Sequence, residues 1–362
     1  METKLIIAGG FLGAGKTTLL RETAQRLLKK GLRVGLITND QAPGLVDSKL
    51  LELNNLPVAE VSGSCFCCNF NGFIDAVRNI RRKTDADIII AEPVGSCTDL
   101  SATIMQPLKQ FFSKELTIAP LSVLTDPTRL RNILDGSLHP DAAYIFRKQL
   151  EESDIILINK TDLLQADELE NLKQRTQALY PAATVMTVSA LTGDGLDEWL
   201  NETMLSGRAA GSHLAEIDYD TYANGEAVLG WLNGTIAVNN GFHITDWDEY
   251  TLRLLSSLAD QFDAAGYAVG HVKVITESVN SFTAGNLTGT RETLSIRGRA
   301  GSGTDAKVII NARVETSPET LNDIVRRTLD ALAAEKYYYK VLAWRYLQPG
   351  RPKPTHRFNS VV

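Results

Sequence analysis

With 362 residues and a net charge of −6, the chain is long enough for two domains with separate cores, and its acidic balance argues against nucleic acid as the main partner. No apolar run reaches membrane-spanning length, and the first apolar stretch leads directly into a glycine-rich loop with no charged leader before it; the expectation is a cytosolic protein that does not touch a membrane. The cysteines, Cys65, Cys67, Cys68 and Cys97, all precede residue 100, which in a reducing compartment points to metal or redox chemistry more than to disulfides.

Lys4–Ala8 reads as a buried strand. Gly10-Phe11-Leu12-Gly13-Ala14-Gly15-Lys16-Thr17 follows and fits G-x-x-x-x-G-K-S/T. Thr17–Lys30 carries Leu20, Ala24, Leu27 and Leu28 on one face and stops at Gly31, so it reads as a helix. Strand, glycine loop and helix form the context in which backbone N–H groups and a helix N-terminus cradle phosphate. Gly13, Ala14, Gly15, Lys16, Thr17 and Thr18 are therefore candidate nucleotide-binding residues. Lys16 would reach the β- and γ-phosphates, and Thr17 would hold Mg²⁺.

Further strands are expected at Leu32–Thr38, Val58–Val61, Asp87–Ala91, Thr117–Leu124, Asp154–Ile158 and Thr184–Val188. Helices are expected at Phe73–Lys83, Ala143–Glu151, Ala166–Leu179 and Leu196–Leu200. The alternation predicts an α/β fold, a P-loop nucleoside triphosphatase with a mostly parallel sheet, over residues 1–205. Ligands of such sheets bind at the carboxyl ends of the strands.

Each remaining motif falls at such an end. Asn159-Lys160-Thr161-Asp162 follows the strand at 154–158 and matches the guanine-specificity motif of P-loop GTPases. The Asp162 carboxylate would accept from the guanine ring N–H and exocyclic amine, a donor pair that adenine lacks. Ser189, Ala190 and Leu191 would supply the backbone that meets guanine O6. Glu92-Pro93-Val94-Gly95 places an acid three residues before a glycine at a strand end, the arrangement that senses a γ-phosphate through Mg²⁺ and a backbone N–H. Lys16, Glu92 and Gly95 are thus the catalytic candidates. Asn39-Asp40 is the first switch candidate, with Asp40 a possible metal or Mg²⁺ ligand and Asp47 downstream a possible Mg²⁺-linked carboxylate.

Between the two switches lies Ser62-Gly63-Ser64-Cys65-Phe66-Cys67-Cys68. Adjacent Cys67 and Cys68 cannot both face one core from regular structure. The three thiols therefore suit Zn²⁺ or another late transition metal, with a fourth position open for transfer. Cys97 could join them but reads better as a small packed apolar residue. A redox pair at Cys67-Cys68, or cysteines that merely stabilise a loop, are the other readings.

Residues 206–225 lapse into Gly, Ala, Ser and Asp and read as a linker. Over 226–348 the order is a strand at Gly234–Val238, a helix at Asp246–Ala264 and strands around Val272–Thr276, Glu292–Arg297 and Val308–Val314. A helix stripe through Leu321, Ile324, Val325, Leu329 and Leu332 follows, and a strand at Tyr339–Tyr346 closes it. This predicts a smaller α+β ferredoxin-like domain. Ser278–Thr288 reads as a mobile loop. Residues 349–362 read as a basic, Pro-rich, extended and solvated tail. His139, His213, His243, His271 and His356 are scattered and read as surface or packed residues.

Taken in order, Gly10–Thr18, Cys65-x-Cys67-Cys68, Glu92-x-x-Gly95 and Asn159-Lys160-x-Asp162 resemble the CobW-like metal-chaperone GTPases related to HypB and UreG. The resemblance covers about the first 200 residues. It implies slow GTP hydrolysis, Mg²⁺, binding of zinc or cobalt at the cysteine motif, and delivery of metal to a client metalloenzyme or its maintenance. A nucleotide- or metal-dependent dimer fits the same picture. In the family's first switch a Glu stands where this chain has Asp40, one methylene shorter. Asp218–Glu226 resembles a subgroup found with corrinoid-dependent methyltransferases. No arginine finger is identifiable, so slow turnover raised by a partner is expected. The rival reading is a GTP-regulated binding module that docks on a corrinoid protein or methyltransferase.

Overall fold

The computed structural model describes residues 2–40, 46–137, 140–205, 207–279, 281–289 and 291–362. Gln41 and Ala42 of the first switch, and His139, lie outside these. The chain forms two units: residues 1–41, 55–225 and 351–362 make the first, and residues 42–54 and 226–350 the second.

In the first unit β1 (Thr3–Gly10) leads to α1 (Lys16–Lys29) and β2 (Val34–Asp40). The chain next supplies α2 (Val46–Leu53) to the second unit, then returns with β3 (Val58–Ser62), α3 (Phe70–Thr84) and β4 (Ile88–Glu92). A π-helical turn at Ser101–Met105 runs into α4 (Gln106–Phe112), followed by β5 (Leu116–Ile118) and β6 (Ser122–Thr125). Then come α5 (Pro127–Leu134), α6 (Pro140–Glu151), β7 (Ile155–Ile158), α7 (Ala166–Leu179), β8 (Thr184–Thr187), α8 (Leu196–Leu205) and α9 (Tyr219–Ala227). The sheet runs β3-β2-β4-β1-β6-β7-β8, with β5 also on β1, and its pairs are parallel. Helices cover both faces of such a sheet. That is why Leu5, Ile6, Ile7 and Ile88, Ile89, Ile90 are continuous apolar runs, all essentially inaccessible.

The strand expected over 117–124 is broken in two. Leu5 pairs with Ile118 and Ala8 with Ser122, and the break holds Pro120, which has no N–H to give to a ladder. The stretch read as a linker is ordered against the first unit: Gly211 and Ser212 donate their N–H groups to the buried Asp154 carboxylate at 2.7 and 2.8 Å.

In the second unit the elements are β9 (Gly230–Asn239), β10 (Thr245–Asp246), α10 (Trp247–Ala265), β11 (Val269–Ser278), β12 (Ser281–Leu287) and β13 (Ser295–Gly298). They continue as β14 (Ser302–Gly303), β15 (Asp305–Val314), α11 (Pro318–Lys336) and β16 (Tyr338–Leu347). The antiparallel order β13-β12-β11-β15-β9-β16 contains the ferredoxin-like arrangement in β9, β11, β15 and β16, extended by the β12–β13 hairpin. One face packs Leu254, Leu258 and Phe262 of α10 with Leu321, Val325 and Leu329 of α11 against Val272, Val274, Val308 and Ile310. Alternation puts Ile275 and Ile309 on the other face, where Val46 of α2 covers them.

The loop expected over 278–288 is largely β12, paired with β11 from Val272–Leu287 to Ser278–Ser281. Its Ala284, Gly285 and Asn286 carry little strand signal. A Cβ at Gly285 would come 2.2 Å from Leu255 Cδ1, so close approach of α10, not propensity, selects the residue.

Candidate functional site

The glycine loop is shaped by three residues with left-handed or extended positive φ: Gly10 (131°), Gly13 (77°) and Gly15 (95°). A Cβ on Gly10 would lie 2.3 Å from Leu124 O, and one on Gly15 would lie 2.3 Å from Asn159 Nδ2. The loop therefore threads a gap left by β6 and the guanine motif. Lys16 folds back and donates to Gly10 O at 2.8 Å and Phe11 O at 3.3 Å. Its Nζ lies 3.9 Å from Glu92 Oε1, and both side chains are buried. Thr17 Oγ1 lies 3.3 and 3.2 Å from the two Glu92 carboxylate oxygens. Neighbouring ligands of an octahedral Mg²⁺ are about 2.9 Å apart, so this pair fits two adjacent positions around one ion.

Asn159 joins the phosphate loop to the base loop. Its Nδ2 donates to Ala14 O at 2.8 Å and its Oδ1 accepts from Ala190 N at 2.9 Å. Lys160 adopts φ 60°, and burial pulls its ammonium below the usual lysine range. Asp162 accepts from Ser189 Oγ at 2.5 Å, and Ser189 Oγ in turn accepts from Thr192 N at 3.1 Å. Leu191 is exposed beside them. The guanine-site candidates are thus brought together, with Asn159 linking them to Ala14. Thr18 continues α1 behind the loop.

Arg129 was not read from the sequence. It follows Asp126-Pro127, where Asp126 caps α5 by accepting from Arg129 N at 3.0 Å. The guanidinium donates to Leu12 O, inside the phosphate loop, and stacks 5.2 Å from the Phe11 ring centroid. The available signal was a capped helix start directly after a sheet strand, at the ligand-binding edge.

Asp47 sits in α2, within the second unit, where Lys273 Nζ contacts its carboxylate oxygens at 2.6 and 2.7 Å. Asp40 ends β2, is buried and pairs in register with Ser62.

The three cysteines sit in a turn at the N-terminus of α3. Cys65 O accepts from Cys68 N at 3.1 Å and Asn69 N at 2.9 Å, and Asn69 caps the helix by accepting from Gly72 N at 3.1 Å. The turn does what a strand or helix interior cannot: all three sulfurs lie within 4.8 Å of one another. Cys67 and Cys68 sulfurs are 3.9 Å apart and those of Cys65 and Cys67 3.0 Å. Sulfurs on a tetrahedral zinc are about 3.8 Å apart, so the set needs only a small spread to hold that ion. The cysteines are free thiols. Hydrogen bonds from Cys67, Cys68 and Cys97 pull the Cys65 thiol well below its ordinary range. Sharing with Cys65 pushes Cys67 well above that range and Cys68 up to about 11.

Cys97 is buried, and its thiol is among the groups that lower Cys65 and raise Cys67. It lies two positions past Gly95, in a turn where Cys97 N donates to Val94 O at 2.9 Å. Gln149 Nε2 pins this turn at Gly95 O (3.0 Å) and Cys97 O (2.8 Å). From the other side, Asn39 Nδ2 donates to Val61 O at 2.9 Å and Ser64 O at 2.8 Å, and Asn39 Oδ1 accepts from Phe66 N at 2.9 Å. The cysteine turn is therefore bonded to Asn39 of the first switch candidate, and Cys97 follows the second by two positions. The segment 218–226 packs here too: Tyr219 OH donates to Asp99 at 2.7 Å and Tyr222 OH accepts from Thr98 N at 3.1 Å. No described helix is long and apolar enough to cross a membrane.

Residues 4–187 match a sequence model of the family described as CobW/HypB/UreG, nucleotide-binding domain, which is more than half of the chain. The chain is 27% identical over 222 residues to a protein of Pseudomonas aeruginosa named zinc chaperone CobW, covering 52% of this chain and 56% of that one. It is 28% identical over 182 residues to zinc chaperone YjiA of Escherichia coli, covering 50% and 55%. With zinc-regulated GTPase metalloprotein activator 1 of Schizosaccharomyces pombe it shares 26% over 204 residues, covering 54% and 48%. The chain spans about half the length of the curated relatives it matches. A nucleotide cradle, a guanine motif and a convergent thiol trio in one parallel-sheet unit agree with that match, and the chain belongs to the CobW/HypB/UreG family.

Proposed function

We propose that the chain is a GTPase whose nucleotide state controls loading and release of a metal ion at Cys65, Cys67 and Cys68, for delivery to a client metalloprotein. The carrying observation is that the cysteine turn hydrogen-bonds through its backbone to Asn39 near the end of β2, while Cys97, just past Gly95, is among the thiols that shift Cys65 and Cys67. A γ-phosphate that moves either switch moves a neighbour of the cysteine turn. The relatives named as zinc chaperones support zinc as the cargo, and the thiol set suits zinc or cobalt. Client activation is supported by the printed name of the fission-yeast relative.

In this reading Gly13–Thr18 amides and Lys16 neutralise the β- and γ-phosphates, and Thr17 and Glu92 are the residues that would hold Mg²⁺. Bound Mg²⁺ adds charge neutralisation at the transferring phosphoryl group. Glu92 and Gly95 place the water that attacks the γ-phosphorus, giving GDP and inorganic phosphate. Arg129, on the carbonyl of Leu12, brings a cation to the phosphate loop from within the chain. Asp162 selects guanine through its ring N–H and amine.

Calorimetry of a non-hydrolysable GTP analogue, with and without Zn²⁺ or Co²⁺, tests the coupling. The expected outcome is an affinity for nucleotide that changes with metal, and by the same factor an affinity for metal that changes with nucleotide. Identical affinities remove the coupling. A chain indifferent to guanine nucleotides removes the whole reading.

A further inference from the structure

The segment read as a solvated tail is bound along the cysteine site. Lys353 N donates to Cys68 Sγ at 3.2 Å. Thr355 N donates to Cys67 O at 2.8 Å, and Thr355 Oγ1 to Cys68 O at 3.2 Å. Beyond these, Arg357 Nε donates to Asp99 Oδ2 at 2.7 Å, and Asp99 is wholly buried. Phe358 N donates to Ala102 O at 3.0 Å. The His356 ring stands edge-on to Phe70, 5.1 Å between centroids, on the first turn of α3.

The sequence explains how this segment does its work. In Pro352-Lys353-Pro354 the only backbone N–H belongs to Lys353, because proline has none. Each proline holds its own φ and turns the residue before it away from helix, so the tripeptide is extended before it binds. Little conformational freedom is left to lose when the Lys353 amide meets sulfur. The Lys353 side chain is exposed, so the contact belongs to the backbone. Cys68 is the half-buried member of the trio, whereas Cys65 and Cys67 are buried. The segment therefore meets the sulfur that solvent reaches. An amide N–H on a thiolate sulfur orients its lone pairs and offsets its charge, the role outer partners play around metal ligands.

We propose that Arg351–Val362 is a strap over the metal site: the Lys353 amide positions Cys68 as a ligand, the Arg357–Asp99 pair anchors the strap, and cargo leaves when the strap lifts. This inference rests on the metal reading above and goes beyond it by naming what retains the ion.

The test uses the reduced 362-residue chain, with Zn²⁺ alone as the probe. Lys353→Pro deletes the N–H and keeps the extended backbone; Lys353→Ala keeps the N–H; a third variant ends at Gly350. Zinc release to an excess of chromophoric chelator and alkylation of Cys68 in the metal-free protein, located by mass spectrometry, are both followed. Unchanged affinity for the GTP analogue shows that each variant is folded. Release and Cys68 alkylation should each become about tenfold faster in Lys353→Pro and in the shortened chain, with Lys353→Ala like the parent. Equal rates in all four proteins overturn the proposal. Faster alkylation with unchanged zinc release also overturns it, because the strap would then cover the sulfur without holding the ion. A parent that takes up no zinc fails the metal reading itself. Alkylation then still decides whether the strap guards Cys68.

Discussion

The phosphate loop and the cysteine turn are built on one plan and differ in where their partners come from. Each is a short non-repetitive stretch after a strand of the same sheet, and each opens onto a helix N-terminus, α1 in one case and α3 in the other. A helix N-terminus favours negative charge, whether phosphate or thiolate. The phosphate loop offers a ligand its own backbone and Lys16 from one motif, and Arg129, Asn159 and Glu92 brace that motif from outside. The cysteine turn depends on Asn39, Cys97, Lys353 and Thr355, drawn from three distant parts of the chain. Anion binding by amides is a local device.

Replacing ligands on each side sets the largest test of that contrast. Cys67→Ser should abolish tight zinc binding, measured by chelator competition, while leaving metal-free nucleotide affinity nearly intact; unchanged zinc stoichiometry would sink the metal assignment. Asp162→Asn should lower GTP affinity by about a thousandfold, since an amide cannot accept from both guanine donors, and should admit xanthosine triphosphate, whose 2-oxo group accepts from the new amine. Preserved GTP affinity in a filter-binding assay would remove Asp162 from the guanine site.

A smaller effect concerns the frame shared by the second switch and the strap. Glu152 is fully buried, and Ser101 N donates to its Oε2 at 2.7 Å. Burial, with the Asp99 carboxylate adding to it and the backbone N–H groups opposing it, pushes its carboxyl from 4.5 to about 8. Asp99 is itself raised by burial and is faced by Tyr219 and Arg357. Because the folded chain holds this proton where the unfolded chain has lost it, stability from this group is present below pH 4.5 and falls as pH rises towards 8. The slope should reach at most about 1.4 kcal/mol per pH unit, and Glu152→Gln should flatten it in urea titrations across that window. An identical pH profile for the variant would show that the carboxyl is ionised throughout. The smallest effect is expected from Lys273→Ala, which leaves the Asp47 carboxylate without that cation. It should cost the second unit about 1–3 kcal/mol by thermal denaturation and leave GTP affinity unchanged. A large loss of GTP affinity would mean that α2 reports to the nucleotide after all.

The nucleotide half of the site was legible because its chemistry is carried by contiguous motifs. Gly10, Gly13 and Gly15 announce a backbone path that other residues cannot follow, and Asn159 to Asp162 sit directly after an apolar strand. The parallel sheet was legible for the same reason, apart from the break at Pro120. Less could be read where small or polar residues answer to a distant neighbour. Gly285 in β12 is chosen by Leu255, and Cys97 looks like any small packed residue until Cys65 is placed beside it. The Asp47–Lys273 pair was out of reach because its members are 226 residues apart in sequence.

By itself the amino-acid order determined a glycine loop between strand and helix, an Asn-Lys-x-Asp motif at a strand end, a thiol trio and the two sheet classes, because glycine conformations, ligand spacing and hydrophobic period are local properties. Only the tertiary structure decided that α2 belongs to the second unit, that Cys97 and Asn39 bracket the cysteine turn, and that a proline-rich end lies on Cys68. Those contacts join residues far apart in the chain. Their energies come from burial and hydrogen bonds that exist only once the intervening sheet has folded, and no local pattern encodes them.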